Sequence, residues 1–116
     1  MATLSKPQTI VLRVLQILAA VAFLAAGGMK LAGAGQSPEM FGKIGLGQGF
    51  RYLTGGLEVL GALGLLYPGS AFYSALLLVA VMAGAVVTHL VVLGGSPAAA
   101  VVLLAVTAAI AYLRRP

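Results

Sequence analysis

The sequence predicts an all-α fold, namely an integral membrane four-helix bundle with antiparallel helices and a short interfacial helix between the first two. Three observations favour it: a composition that is 61% hydrophobic and 8% charged, four uninterrupted apolar segments, and two short connections rich in Gly and Pro. Soluble domains carry about a quarter of their residues as charged side chains, which cover the surface that faces water. We therefore expect this chain to reside in a lipid bilayer.

The four apolar segments are the predicted membrane helices of one domain that comprises residues 1–116. A helix needs about 20 residues to cross the hydrocarbon core. The second and fourth segments are slightly short, which tilting or a thin bilayer can accommodate. The segments cover about residues 9–31, 49–66, 71–93 and 97–113.

The first segment follows a basic start, an arrangement that also resembles a cleavable secretory signal. Its apolar run is longer than a signal core, and cleavage would leave three helices. We therefore expect a membrane helix here.

The connection from Ala32 to Phe50 is rich in glycine but contains a helix signal of its own. Ser37 is a candidate cap, Pro38 follows it, and Glu39 falls in the first turn. The sequence favours a short interfacial or re-entrant helix over the mouth of the bundle, with a mobile glycine loop as the alternative. Four apolar side chains would share one face: Met40, Phe41, Ile44 and Leu46.

The other two connections are tight turns. "YPGS" (67–70) combines Pro-Gly with Ser70 as a candidate N-cap, and "GGSP" (94–97) offers glycine C-caps, Ser96 as N-cap and Pro97 at the first helical position. Short connections predict antiparallel neighbours.

The basic residues predict the orientation. Lys6, Arg13, Arg114 and Arg115 belong to the side with both termini, whereas Lys43, Lys30 and Arg51 belong to the other side. This bias places both termini in the cytoplasm, with the helices crossing the inner cell membrane. The scattered charges fit anionic lipid headgroups, and we expect no nucleic-acid partner.

Glu58 is one of only two acidic residues, and its neighbours on the helix surface are mostly small or polar. Small residues let helices approach closely, so this face should point into the bundle. His89 should lie at a similar depth on the next helix, with its side chain leaning toward Glu58. The sequence therefore predicts a polar cluster of Lys30, Arg51, Glu58, Thr88 and His89.

Two interpretations of this cluster stay open. Because an unpaired charge inside a membrane is costly, Glu58, Arg51 and His89 could form an ion-pair network that fixes helix register. Alternatively, the cluster lines a cavity for an amphipathic ligand or relays a proton. On the opposite half, Gln16 and Thr107 are expected to form isolated hydrogen bonds between helices.

The composition also limits the chemistry. The chain has no cysteine and one histidine, so thiol chemistry is excluded and a metal site has little support. We find no set of nucleophile, base and orienting residue, so no catalytic residue is assigned and enzyme activity of the isolated chain is not expected.

Three stretches resemble the DoxX-like family of small four-helix membrane proteins: "GGMKLAG" (27–33), "GLEVLGALGLLYP" (56–68) and "LLVAVMAGAVVTHL" (77–90). The resemblance covers nearly the whole chain, and the recurring polar positions of the family correspond to Lys30, Glu58 and His89.

The resemblance implies a fold more firmly than an activity. Family members are associated with a thiosulfate:quinone oxidoreductase, with membrane oxidative-stress complexes, and with receptor assembly. It therefore implies a non-catalytic accessory subunit of a membrane redox complex that binds a quinone or another lipophilic molecule. The alternative is an assembly or chaperone-like partner of another membrane protein. Self-association through glycine and alanine faces is a further expectation.

Overall fold

The computed structural model describes residues 4–34, 37–94 and 96–116, and these residues are almost entirely helical. Within them the chain forms five α-helices and one short π-helix, with no strand. In chain order these are α1 (Lys6–Ala32), α2 (Ser37–Ile44), α3 (Gln48–Leu65), α4 (Ala71–Thr88), the π-helix (His89–Leu93) and α5 (Ala98–Arg114). The all-α prediction is confirmed for this part of the chain.

α1 begins three residues before the predicted start because Ser5 and Gln8 form a capping box. The Gln8 amide donates to Ser5 Oγ at 3.3 Å, and the Ser5 amide donates to Gln8 Oε1 at 2.8 Å. α1 ends at Gly33, whose φ of 69° lies in the left-handed region that glycine adopts without strain.

α2 is the short helix that the sequence predicts between the first two apolar segments. Its Phe41 is buried and packs against Phe50 of α3, with the ring centroids 5.8 Å apart. Leu46, predicted on the same face, lies beyond the helix end and is 66% exposed, so that prediction was wrong. The proposed cap at Ser37 rests on a side chain outside the described part of the structure.

The predicted turn at 67–70 is present, and the connection at 94–97 is described except for Gly95, one of its two predicted glycine caps. Ser70 makes no cap to α4, and its hydroxyl instead donates to the Gly64 carbonyl at 2.9 Å, which satisfies the end of α3. Ser96 does satisfy a first-turn amide of α5, as predicted, since its Oγ accepts from the Ala98 amide at 3.2 Å. Pro97 precedes the first helical residue rather than occupying it.

The helix of α4 widens into the π-helix at His89. There the Gly94 amide donates to the His89 carbonyl at 2.9 Å, five residues back along the chain. Gly94, with a φ of 69°, then closes the segment. The sequence predicts one uniform helix over residues 71–93, so the π-helix was not expected.

The long helices pack as neighbours, most extensively α1 on α3 and α4 on α5, with further contacts between α3 and α4 and between α1 and α5. The core between them holds Leu12 and Phe23 of α1, Leu65 of α3, Leu78 of α4 and Ile110 of α5, all fully buried. The predicted inward face of α3 is buried as well, including Gly55, Glu58 and Ala62.

α1 and α3 cross with their backbones in close contact at Gly27 and Gly55. A Cβ atom on Gly27 would lie 2.7 Å from the Gly55 carbonyl oxygen, and one on Gly55 would lie 2.9 Å from the Gly27 carbonyl oxygen. Carbon and oxygen atoms do not approach so closely without a shift of backbone. Both positions therefore require glycine, whereas Gly28 and Gly56 face open space.

Gln16, three turns before Gly27 on α1, joins three helices. It is fully buried, its Nε2 donates to the Leu65 carbonyl of α3 at 2.6 Å, and its Oε1 accepts from the Arg114 guanidinium of α5 at 2.9 and 3.1 Å. The predicted bond between helices is thus confirmed for Gln16. Thr107 was predicted to do the same, but it donates to Leu103 and Leu104 of its own helix.

Large apolar side chains cover the outer surface of the long helices. Ile17 of α1, Val91 of the π-helix and Val102 of α5 are each more than half exposed. In the described residues, Lys6–Ala32 and Ala71–Leu93 are long and apolar enough to cross a membrane, and Ala98–Arg114 is a shorter apolar helix. An apolar surface of this extent fits hydrocarbon better than water.

The crossing predicts that Gly27→Ala and Gly28→Ala have opposite effects on stability. The added methyl group at residue 27 collides with α3, so we expect the free energy of unfolding to fall by about 1–3 kcal/mol. At residue 28 the methyl group meets nothing, and the higher helix propensity of alanine should leave stability unchanged or raise it by up to about 1 kcal/mol. Unfolding in mixed detergent micelles measures both, and equal effects would contradict the close crossing.

Candidate functional site

Lys30 of α1 and Glu58 of α3 form an ion pair directly beside the glycine crossing. The distance from Lys30 Nζ to Glu58 Oε1 is 2.7 Å, with the Glu58 side chain 1% exposed and that of Lys30 21% exposed. Each charged residue follows its crossing glycine by three positions, which places it one helical turn away on the same face. The close backbones thus bring the two side chains within contact distance.

The geometry of this pair leaves part of the ammonium unused. Lys30 Nζ lies against Glu58 Oε1, an oxygen that is itself buried, and among the described residues Oε1 accepts no further hydrogen bond. An ammonium has three N–H donors, and this contact engages one of them. The pair is therefore held together by charge and keeps donor capacity on Lys30.

Arg51 does not bind Glu58, contrary to the ion-pair network considered from the sequence. Its Nη1 donates to the Lys30 carbonyl at 2.8 Å and its Nη2 donates to the Tyr52 hydroxyl at 3.0 Å. The guanidinium also lies over the Tyr52 ring, 4.6 Å from its centroid. Arg51 therefore caps the carboxyl end of α1, where a cation complements the helix dipole.

Thr88 and His89 are likewise bonded to their own helix rather than to Glu58. Thr88 Oγ1 donates to the Gly84 carbonyl at 2.7 Å. His89 Nδ1 lies 2.9 Å from the Ala85 carbonyl, and since a carbonyl only accepts, Nδ1 carries the proton. The bonds fix the orientation of both side chains.

A cavity of about 300 Å³ lies between α3, α4 and the π-helix. One part of its wall is polar and is formed by Lys30, Thr54, Glu58, Thr88 and His89. The rest of its lining is mostly apolar, including Leu57, Val81 and Leu93. An apolar cavity with a few convergent polar groups is the usual form of a small-molecule site.

α2 covers one side of this cavity with Met40, Phe41 and Ile44. Its position is secured by the contact of Phe41 with Phe50 and by a hydrogen bond of 3.0 Å from Gln48 Nε2 to the Pro38 carbonyl. α2 also packs against the π-helix. The short helix thus covers part of the side of the cavity that the long helices leave open.

Four of the five residues predicted for the cluster line this cavity, and Arg51 lies apart from it. Thr54, one helical turn before Glu58, lines the cavity too, although the sequence did not assign it to the cluster. The sequence did not predict the apolar lining from Leu57 and Val81. Leu57 adjoins Glu58 in the sequence and Val81 lies two turns before His89, but apolar residues at these positions are equally typical of a packed core.

The arrangement offers binding more readily than bond-making chemistry. Within residues 4–34, 37–94 and 96–116 no group of three or more His, Asp or Glu side chains could hold a metal ion. The polar wall offers one cation, one carboxylate, two hydroxyl groups and one imidazole. These groups can orient the polar head of an amphiphile whose apolar part fills the remaining cavity.

Comparison with known proteins identifies the family but no individual relative. No curated protein and no solved structure matches the chain significantly. The model of the DoxX-like family matches residues 14–112, a range that includes the glycine crossing, the ion pair and the cavity. The chain therefore belongs to the DoxX-like family.

Proposed function

We propose that this protein is a non-catalytic membrane subunit that binds a quinone or a related lipophilic molecule in the cavity beside Lys30 and Glu58. The observation that carries the proposal is the combination of a largely apolar cavity with a single polar wall. A volume of about 300 Å³ lies at the lower end of the range for small-molecule sites, and suits a single ring with short substituents.

The polar wall supplies what a quinone head needs for orientation. The Lys30 ammonium has three N–H donors, and its contact with Glu58 leaves donors free for a ligand oxygen. Phe41, Phe50 and Leu57 supply the apolar surface for a ring. Association with a membrane redox complex would then give the bound quinone its electrons.

The same proposal includes the arrangement in the membrane. Four helices, α1, α3, α4 and α5, would cross an inner cell membrane in alternating directions, with both termini in the cytoplasm. The contacts of Gly27 with Gly55 and of Gln16 with Leu65 support opposite directions for α1 and α3. The basic residues near both termini, including Arg13 and Arg114, support the orientation.

Quinone binding can be measured with a tryptophan reporter because the chain contains no tryptophan. Quinones quench indole fluorescence on contact. In nanodiscs, we expect decylubiquinone to quench the Phe50→Trp variant strongly and with saturation, since Phe50 lines the cavity.

The matched control is Tyr112→Trp, at a residue that is 64% exposed and does not line the cavity. Quinone dissolved in the lipid should quench this variant weakly and without saturation. Equal, unsaturable quenching of both variants would contradict a quinone site in the cavity.

A second candidate function is assembly with another membrane protein or with a second copy of this chain. The outer face of α5 favours it, because three exposed alanines follow one side of the helix: Ala98, Ala105 and Ala108. Small residues on a membrane helix let a partner helix approach closely.

This candidate predicts that Ala105→Leu disrupts complexes that survive mild solubilisation. The larger side chain would hold the partner helix away, whereas Ala83→Leu on the exposed face of α4 should have no effect. Native mass spectrometry of both variants reports the bound mass. A wild-type protein that remains a single chain, or an Ala105→Leu variant that retains its partner, would contradict the assembly function.

A further inference from the structure

The cavity wall has an uneven balance of hydrogen-bond donors and acceptors. Its two hydroxyl groups and its imidazole each donate their proton to the backbone of their own helix. Thr54 Oγ1 donates to the Phe50 carbonyl at 2.9 Å, Thr88 Oγ1 to Gly84 at 2.7 Å, and His89 Nδ1 to Ala85 at 2.9 Å. Because these protons are engaged, only acceptor positions remain for a ligand.

His89 illustrates this restriction. With the proton on Nδ1, the neutral ring carries a lone pair on Nε2, the nitrogen at its far tip. In the described part of the chain no residue donates to Nε2. The Glu58 carboxylate contacts Lys30 through Oε1, which is buried, and a carboxylate adds no donor to the wall. Lys30 is then the single side-chain donor on the polar wall.

From this balance we infer that the site selects a lipophilic molecule whose head group carries a hydroxyl, such as a quinol or an alkylphenol, over one whose head group is a carbonyl or an ether. A hydroxyl can donate to Nε2 of His89 or to a threonine oxygen while its own oxygen accepts from Lys30. A carbonyl can only accept, so it uses Lys30 and leaves the acceptors unpaired in a largely apolar site. The inference rests on the proposed function and specifies its ligand class.

The donor requirement also distinguishes the two oxidation states of a quinone. A quinone presents carbonyl oxygens and a quinol presents hydroxyl groups on a ring of nearly the same shape. Shape and apolar contact are therefore almost equal for the two forms. The difference in affinity between the two forms therefore depends on the acceptors of the polar wall. A higher affinity for the quinol would make this chain a receptor for the reduced form.

The test uses 4-nonylphenol and its methyl ether, 4-nonylanisole, which differ in one O–H group and need no redox control. Binding of each probe to wild-type protein in nanodiscs is titrated by equilibrium dialysis, with empty nanodiscs subtracted. We expect the phenol to bind about tenfold more tightly than the ether, the effect of one net hydrogen bond.

Two variants relate this preference to the wall. His89→Phe and Thr88→Val each remove an acceptor and should reduce the ratio of the two affinities to about twofold or threefold. Thr107→Val is the matched control, since Thr107 also bonds its own helix but does not line the cavity. It should keep the wild-type ratio.

The possible failures are distinguishable. Saturable binding of both probes with equal affinity would overturn the donor requirement and leave the proposed binding site intact. A wild-type preference for the phenol that His89→Phe and Thr88→Val both retain would overturn the assignment of these acceptors. If neither probe binds above empty nanodiscs, the proposed function itself fails.

Discussion

The close crossing of α1 and α3 at Gly27 and Gly55 determines the geometry of the whole polar region. Any side chain at either position would push the two backbones apart, because their carbonyl oxygens lie within 3 Å of the Cβ positions. Lys30 and Glu58 follow these glycines by one helical turn, and their 2.7 Å contact depends on the same separation. An unpaired carboxylate buried to 1% exposure in an apolar protein would be costly, so the crossing and the ion pair stabilise each other.

Other features of the structure leave a cavity beside this crossing instead of a filled core. Arg51 is bonded to the end of α1 and so leaves Glu58 to Lys30 alone. α4 widens into the π-helix at His89, beside the cavity, a position where such irregular turns often accompany function. α2 then covers part of the open side with Phe41. A ligand would thus meet a polar wall, positioned by Gly27, Gly55 and backbone hydrogen bonds, opposite an apolar surface.

Much of this fold could be predicted from the sequence because its signals are local. Apolar runs, glycine notches and the Pro-Glu start of α2 gave the helices, and the small residues around Glu58 gave the buried face of α3. The partners of polar side chains were harder to predict. Arg51 and Glu58 share a face of α3, yet Arg51 reaches the α1 carbonyl, since side-chain direction over two turns depends on the neighbouring helix. The carbonyl that Ser70 binds depends on how α3 and α4 pack, and the carbonyls that Thr107 binds depend on the rotamer of its side chain. The π-helix has no comparable sequence signal.

We propose that Lys30 and Glu58 serve a binding site and do not only hold α1 and α3 together. The most direct measurement compares Lys30→Met, Glu58→Met and the double variant, all carrying Phe50→Trp, for unfolding free energy and decylubiquinone quenching. Each single change should cost about 2 kcal/mol, less than in a fully buried pair because Lys30 is 21% exposed, and the double change should recover most of this loss. We expect the double variant to be stable but to show no saturable quenching. A stable double variant that binds decylubiquinone as tightly as the parent protein would contradict a binding role for the pair.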